Sequence, residues 1–386
     1  MYIQRDMSRE LVSSSAWIQV LVGPRYCGKA SLLVELAAKD NVSQEINFDD
    51  LHLRQLAERD PALFLQQFES PIINEAQYGP NLISELKKRV DQLKHKTSPK
   101  ILFRLTASQQ IKKSLDGYAA YYYLNTLSVH EILVAFPAMK INDILFQGGW
   151  PALYANENIS TITYLNEYIM NNIEIMLIGK RKKFSEFHKA LGLIGAYTGH
   201  LLDYSEIARH TEVSSVSIKE WINLLEEADL IYKLKPFCDN CNKRLLKTPK
   251  IYFLDTGLAA RLQGWRDPAP LISSPQIDAL FETLIFAEII KFIRNYRKDW
   301  ELFFWRTKEG EQVDFLLKTA NNRFYAFEAK LALQTIPVAV RLPNSFNKQF
   351  TDIPLILVTF GGRQLELSDR CLVVPIAQLH DYLLTC

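Results

Sequence analysis

The stretch "LVGPRYCGKASLL" (Leu21–Leu33) constrains this chain more than any other. The apolar run "WIQVLVG" stops at a glycine, and helical spacing follows Lys29, with Leu32, Leu33 and Leu36 on one face. Strand, glycine-rich turn and helix in that order form a corner whose backbone N–H groups can cradle phosphate, at a helix start whose dipole favours anions. Gly23, Gly28 and Lys29 keep the G-x-x-x-x-G-K spacing. The candidate nucleotide-binding residues are therefore Gly23, Pro24, Arg25, Tyr26, Cys27, Gly28, Lys29, Ala30 and Ser31. The pattern breaks at Ala30, where a Ser or Thr hydroxyl would ligate Mg²⁺. Ser31 is no substitute, because the next helical residue points about 100° away around the axis.

The same alternation continues. "PIINEAQ" and "ILFRLTAS" read as short buried strands and "NLISELKKRVDQL" as the amphipathic helix between them. This order predicts a parallel sheet with helices on its faces. A metal-holding acid is expected at the end of a later strand; there the chain has Asn74, followed by Glu75, which could still polarise a water. With 386 residues, two or three domains are expected. The net charge of +2 argues neither for nor against a nucleic-acid partner, so any basic surface must be local. No apolar run is long enough to span a membrane and the start resembles no secretory signal, so cytoplasm is the expected compartment.

The middle reads as helical, with a long amphipathic pattern over "TITYLNEYIMNNIEIMLIGK" that ends in the basic run 180–183. Next, "LLDYSEIARHTEVSSVSIKEWINLLEEADLIYKLKPF" reads as helix, turn and helix. With the hairpin partner "PKIYFLD", it becomes a winged helix-turn-helix. The second helix would carry Val216, Trp221, Leu224 and Leu225 inward and offer Ser214, Ser215, Ser217, Lys219 and Glu220 outward, with Lys233 and Lys235 on the wing. DNA contact and docking between domains both remain open for it. Cys238 and Cys241 in "CDNC" have no second pair, so they read as two thiols in a turn. "RDPAPLISSP" reads as a connection.

The C-terminal part carries the second constellation. Asp314 lies in the strand "VDFLLK", while Glu328 and Lys330 share one face of the strand "YAFEAK" by period-two alternation. Glu282 lies upstream in an apolar helix. Carboxylates so placed can hold Mg²⁺, with Asp314 and Glu328 as ligands and Lys330 beside the nucleophile, for phosphodiester cleavage. A buried ion-pair network holding the sheet explains the same residues.

Taken together, the chain resembles a family of prokaryotic AAA-type P-loop ATPases with a C-terminal restriction-endonuclease-like domain of unknown function. The resemblance rests on "LVGPRYCGKASLL", "PIINEAQYGPNLISELKKRVD", "GGWPALY", "NKRLLKTPKIYFLDTGLAARL", "FETLIFAEI", "GEQVDFLL" and "FEAK". It implies an α/β P-loop NTPase domain over 1–135, a helical and winged-helix middle over 136–265, and an α/β nuclease-like domain over 266–386. It implies ATP as cofactor, Glu75 as catalytic acid, and Thr106 or Ser108 as the sensor. Glu282, Asp314, Glu328 and Lys330 match nuclease-like positions. Ala30 and Asn74 depart from the pattern, as does Tyr118, where an arginine is usual, and Gln312, where a Glu is common. Weakened or lost hydrolysis follows, with nucleotide-dependent positioning of the nuclease-like domain on DNA as the leading expectation. A metal-dependent nuclease on a decayed ATPase scaffold and a non-catalytic DNA-binding or protein-interaction module are the alternatives. Oligomeric state is left open.

Overall fold

The apolar run ahead of Gly23 forms β1 (Ile18–Val22), buried at every residue, in the computed structural model of the chain. The structure describes residues 1–39, 44–68, 71–94, 103–108, 111, 114–177, 184–238, 248–331 and 342–386. They fall into two compact units, Met1–Asn125 with Arg294–Arg297, and Thr126–Ile293 with Lys298–Cys386.

In the first unit, β2 (Glu45–Asn47), β3 (Ile72–Asn74), β4 (Phe103–Ala107) and β5 (Ala119–Tyr123) join β1 in the order β2-β3-β4-β1-β5. Every pairing is parallel. Around the sheet lie α1 (Ser8–Val12), α2 (Lys29–Lys39), α3 (Leu51–Arg59), α4 (Pro61–Gln67) and α5 (Pro80–Lys94). Alternation along β1 decides the layering. Val20 and Val22 pack with Phe48, Phe64, Ile73 and Leu86, while Leu21 packs with Met7, Leu11, Cys27, Leu32 and Tyr122. Both sheet faces are covered, as a parallel sheet requires. The sequence reading found three of the five strands. It missed β2, which is only three residues long, and β5, whose run of Ala and Tyr has no alternation to mark it.

The second unit opens with α6 (Val129–Ala135), set by a capping box between Ser128 and Glu131, then α7 (Ile141–Gln147), α8 (Pro151–Ala155), α9 (Thr161–Tyr168) and α10 (Phe184–Ala196). The long helix expected from Thr161 onward is not continuous. It ends at Tyr168 and passes through a π turn, Ile169–Ile173, into a 3₁₀ turn, Glu174–Leu177. Within the π turn the Asn172 side chain donates to Tyr168 O at 3.3 Å. An Asn side chain bonding locally to the backbone competes with regular helix. The basic run 180–183 and Cys241 lie outside the described residues.

Next come α11 (Tyr204–Thr211), α12 (Ser215–Glu227), β6 (Ile231–Leu234) and β7 (Lys250–Phe253), the two strands pairing antiparallel. On α12, Ser214, Ser215, Lys219 and Glu220 are exposed as expected, and the departures are Ser217 and Val216. Ser214 is the N-cap, exposed and accepting from Ser217 N at 3.1 Å, while Ser217 is buried. Val216 is 65% exposed, whereas Ile218, Trp221, Ile222 and Leu225 form the buried stripe. Lys233 is committed to Glu226 at 2.6 Å and Asn223 at 2.9 Å.

The chain continues through α13 (Thr256–Leu262), α14 (Pro268–Ile272) and α15 (Ile277–Asn295). α14 lies in the segment expected as a plain connection. Asp267 caps it and Pro268 takes its first position, where a missing N–H costs nothing. The second sheet contains β8 (Glu301–Arg306), β9 (Gln312–Lys318), β10 (Phe324–Lys330), β11 (Leu355–Thr359), β12 (Leu365–Ser368) and β13 (Cys371–Pro375), with α16 (Asn344–Gln349) and α17 (Leu379–Leu384). Its order is β12-β13-β11-β10-β9-β8, with β8, β9 and β10 antiparallel and β10, β11 and β13 parallel. No helix among the described residues is long and apolar enough to cross a membrane.

Candidate functional site: the phosphate-binding loop and a C-terminal carboxylate cluster

The loop between β1 and α2 is shaped by three residues at positive φ: Gly23 at 148°, Tyr26 at 62° and Gly28 at 95°. Gly23 has a steric reason as well, since a Cβ there would lie 2.0 Å from Leu124 O. Turns of this kind point successive N–H groups to one side and make an anion-binding concavity. Lys29, 7% exposed, donates from Nζ to Gly23 O at 2.9 Å and Pro24 O at 2.8 Å. Its ammonium is thus held against the loop's own first carbonyls. Pro24 and Cys27 are buried, while Arg25, Tyr26 and Ser31 are exposed. Arg25 Nη2 donates to Tyr78 OH at 3.2 Å.

Beside β1 in the sheet lie β4 and then β3, whose ends carry the other candidate residues. Asn74 is buried, accepts from Thr106 Oγ1 at 3.2 Å and donates from Nδ2 to Glu45 Oε1. Glu75 sits just past β3 in the left-handed region, φ 56°, where its N–H donates to Thr106 Oγ1 at 3.1 Å. Its carboxylate accepts from Gln77 Nε2 at 2.7 Å, and Gln77 Oε1 accepts from Ser108 N at 3.2 Å. Thr106, Asn74, Glu75, Gln77 and Ser108 form one chain of hydrogen bonds. Ser108 Oγ is buried in it with no hydrogen-bond partner among the described residues. Tyr118 is drawn to α5 instead: its hydroxyl donates to Asp91 at 3.0 Å, and Lys94 Nζ lies 4.3 Å from the ring centroid.

The loop and Lys29 fit a nucleotide's phosphates. A Mg²⁺ ion does not fit in the usual way. The first turn of α2 offers the methyl of Ala30, and Asn74 is already bonded on both ends of its amide.

In the second unit the β9–β10 hairpin brings Asp314 and Glu328 together. Asp314 Oδ2 accepts from Ala329 N at 3.0 Å, its Oδ1 accepts from Gln312 Nε2 at 3.3 Å, and Lys330 Nζ donates to Glu328 Oε2 at 3.2 Å. Burial, then the Asp314 charge, pushes Glu328 up to about 7. Glu282 on α15 is raised by the same two causes in the same order, and Lys250 and Tyr252 oppose the shift. Both come from β7: Lys250 Nζ donates to Glu282 Oε1 at 2.9 Å and Tyr252 OH donates to the same oxygen. Glu282, Asp314, Glu328 and Lys330 are therefore neighbours, as expected. Among the described residues, however, the three carboxylates do not bring ligand oxygens within 4.8 Å of one another.

Residues 16–133 match the family model described as AAA domain, so the match holds the loop, β3, β4 and Tyr118. The N-terminal domain is of the AAA type. Residues 139–269 and 278–379 match two domains of unknown function, DUF8612 and DUF4143, and the second holds Glu282, Asp314, Glu328 and Lys330. Uncharacterized proteins of Mycobacterium bovis and Mycobacterium tuberculosis are each 27% identical over 373 residues, covering 94% of this chain and 80% of theirs. Among solved structures, the Aeropyrum pernix ORC1 protein in complex with DNA is 13% identical with a TM-score of 0.26, covering 69% of this chain and 93% of its own. A signal transduction ATPase with numerous domains, with a tetratricopeptide repeat sensor, from Pyrococcus horikoshii is 12% identical with a TM-score of 0.27. It covers 76% of this chain and 47% of its own. At those scores neither structure carries a functional argument.

In the AAA domain, sequence reasoning missed Glu45, because the pairing of β2 with β3 that brings it to Asn74 leaves no local signal. In the second unit it missed Lys250 and Tyr252. Their i, i+2 spacing on one face of a strand was the available signal, beside an apolar helix with an unexplained Glu282. Tyr252→Phe removes one bond to a charged acceptor and is expected to cost about 1.5–3 kcal/mol, read as a lower urea midpoint at unchanged m. An unchanged midpoint would mean Lys250 alone satisfies Glu282.

Proposed function

We propose that this chain is an ATP-binding AAA-type protein with weakened or lost hydrolysis. Lys29 and the loop N–H groups bind the phosphates, Glu75 is the residue placed to polarise a water, and Thr106 and Ser108 face the terminal phosphate. One observation carries the reading: the loop keeps its anion-binding shape and its lysine, while Ala30 and Asn74 both lack what a metal needs. Ser108 Oγ, buried without a partner among the described residues, supports a polar ligand group at the end of β4. In this reading nucleotide occupancy regulates the C-terminal half on DNA. Calorimetric titration of ATP into wild type and Lys29→Ala tests it. Wild type is expected to bind at micromolar ATP with little gain from Mg²⁺. The variant is expected to bind at least about 100-fold more weakly (~2.7 kcal/mol). No binding by wild type at millimolar ATP would end the reading.

A second reading rests on Asp314, Glu328 and Lys330, brought side by side by the β9–β10 hairpin and β10 alternation. It is a metal-dependent nuclease, with the ATPase part as scaffold. It expects Mn²⁺- or Mg²⁺-dependent nicking of plasmid DNA that Asp314→Ala and Lys330→Ala each abolish. Nicking that survives both substitutions belongs to a contaminant, and no nicking leaves the cluster as an ion-pair network.

A further inference from the structure

We infer that Arg5 is a positioning residue of the phosphate-binding loop; its consequence for ATP rests on the nucleotide-binding reading above, its geometry does not. Arg5 lies ahead of β1 and is only 3% exposed. Nη1 donates to Cys27 O at 2.8 Å, inside the loop, and Nη2 donates to Asn125 O at 2.7 Å, just past β5. A guanidinium holds its donors in a rigid planar fork. Two backbone carbonyls gripped by one fork fix both the separation and the direction of the segments that carry them.

The choice of carbonyl matters. In a trans peptide the C=O of one residue and the N–H of the next point in opposite directions. Holding the Cys27 carbonyl on Arg5 therefore turns the Gly28 N–H to the opposite face of the loop, away from the guanidinium. That N–H belongs to the last loop residue before Lys29, and the positive φ of Gly28 allows the turn. An unheld Cys27–Gly28 peptide could rotate its carbonyl toward the phosphate side, where it would repel an anion.

Arg5 is itself braced. Ile3, Met7 and Leu11 are buried, and Met7 and Leu11 share a cluster with Cys27, Leu32 and Leu124. Gln19 Nε2 donates to Leu11 O at 2.6 Å, tying α1 to β1. Cys27 Sγ donates to Leu124 O at 3.4 Å, one residue before the Asn125 carbonyl that Arg5 grips. The segment before β1 thus acts as a strut under the loop, with Arg5 as its contact point.

The test uses the full chain with Arg5→Ala, Arg5→Gln and Arg5→Lys. Two quantities are measured well below each variant's unfolding midpoint: ATP affinity by calorimetry, and the alkylation rate of the buried Cys27 by N-ethylmaleimide, located by peptide mass mapping. Arg5→Ala is expected to weaken ATP binding at least about tenfold and to speed Cys27 alkylation by a similar factor. Arg5→Lys, whose single ammonium cannot span both carbonyls in a fork, is expected to recover part of both. A merely structural role would lower the midpoint while leaving affinity and alkylation of the folded protein unchanged, and that result overturns the inference. If Arg5→Ala does not fold, Arg5→Gln and Arg5→Lys carry the same comparison. If wild type binds no ATP, the nucleotide reading fails. Cys27 alkylation still decides Arg5, with an unchanged rate counting against it.

Discussion

Ala30→Thr combined with Asn74→Asp and Glu45→Gln is expected to make ATP binding depend on Mg²⁺ by at least about tenfold (~1.4 kcal/mol), where wild type is expected to show little dependence. The triple change follows from the geometry. A hydroxyl in the first turn of α2 restores one metal ligand, and its cost in helix propensity is below about 0.7 kcal/mol. A carboxylate in place of Asn74 restores the second. Alone, that carboxylate would face Glu45 Oε1, the oxygen that now accepts from Asn74 Nδ2. Two like charges in contact destabilise, so Asn74→Asp by itself is expected to lower the unfolding midpoint and show no gain. Replacing Glu45 by Gln exchanges the repulsion for an amide that can donate. Thr106 Oγ1 and the Glu75 N–H need no change, since they bond to an oxygen in either case. Calorimetry with and without Mg²⁺, paired with phosphate release, gives the answer. Equal affinities in both buffers would mean that the metal site lacks more than these two ligands.

The N-terminal site was legible because its signal is local. Apolar strand, Gly23, Gly28, Lys29 and an amphipathic helix follow one another within a single corner, and the structure keeps that corner. Asn74 and Glu75 were legible for the same reason, at the end of a short apolar run. What stayed hidden depends on pairing between distant segments. Glu45 reaches Asn74 only through the β2–β3 register, and Arg5 reaches Cys27 only because the segment before β1 folds under the loop. Lys250 and Tyr252 meet Glu282 through packing of β7 on α15, which no periodicity announces. The α12 surface was misread in part. Helical spacing placed Trp221 and Leu225 correctly on the inner face, but Val216 is exposed, and the buried stripe runs through Ile218 and Ile222.

Glu288→Ala is expected to destabilise the second unit by about 3–5 kcal/mol, a large part of the 5–15 kcal/mol that holds a typical domain. Glu282 and Glu288 share α15, and six residues at about 100° each place them roughly 120° apart around the axis. They do different work. Glu288 is buried, its Oε1 accepts from Lys291 Nζ at 3.2 Å, and its Oε2 accepts from Val129 N at 2.8 Å. Lys291 Nζ also donates to Leu127 O at 2.8 Å. The pair therefore closes the turn before α6, satisfying an N-terminal helix donor with an anion. Burial raises the Glu288 carboxyl, and the Lys291 charge opposes that shift most strongly. Alanine would leave Lys291 buried without its counter-charge and Val129 N without an acceptor. Glu288→Gln keeps one acceptor and the side-chain volume, so its expected cost is smaller, about 1–3 kcal/mol. Replacing both residues by apolar side chains, which often rescues a buried pair, is expected to fail here. The orphaned groups would be the backbone of Leu127 and Val129, not the side chains removed. Urea denaturation of the three variants separates these cases. A double apolar variant as stable as wild type would show that water or a shifted turn satisfies those two backbone groups.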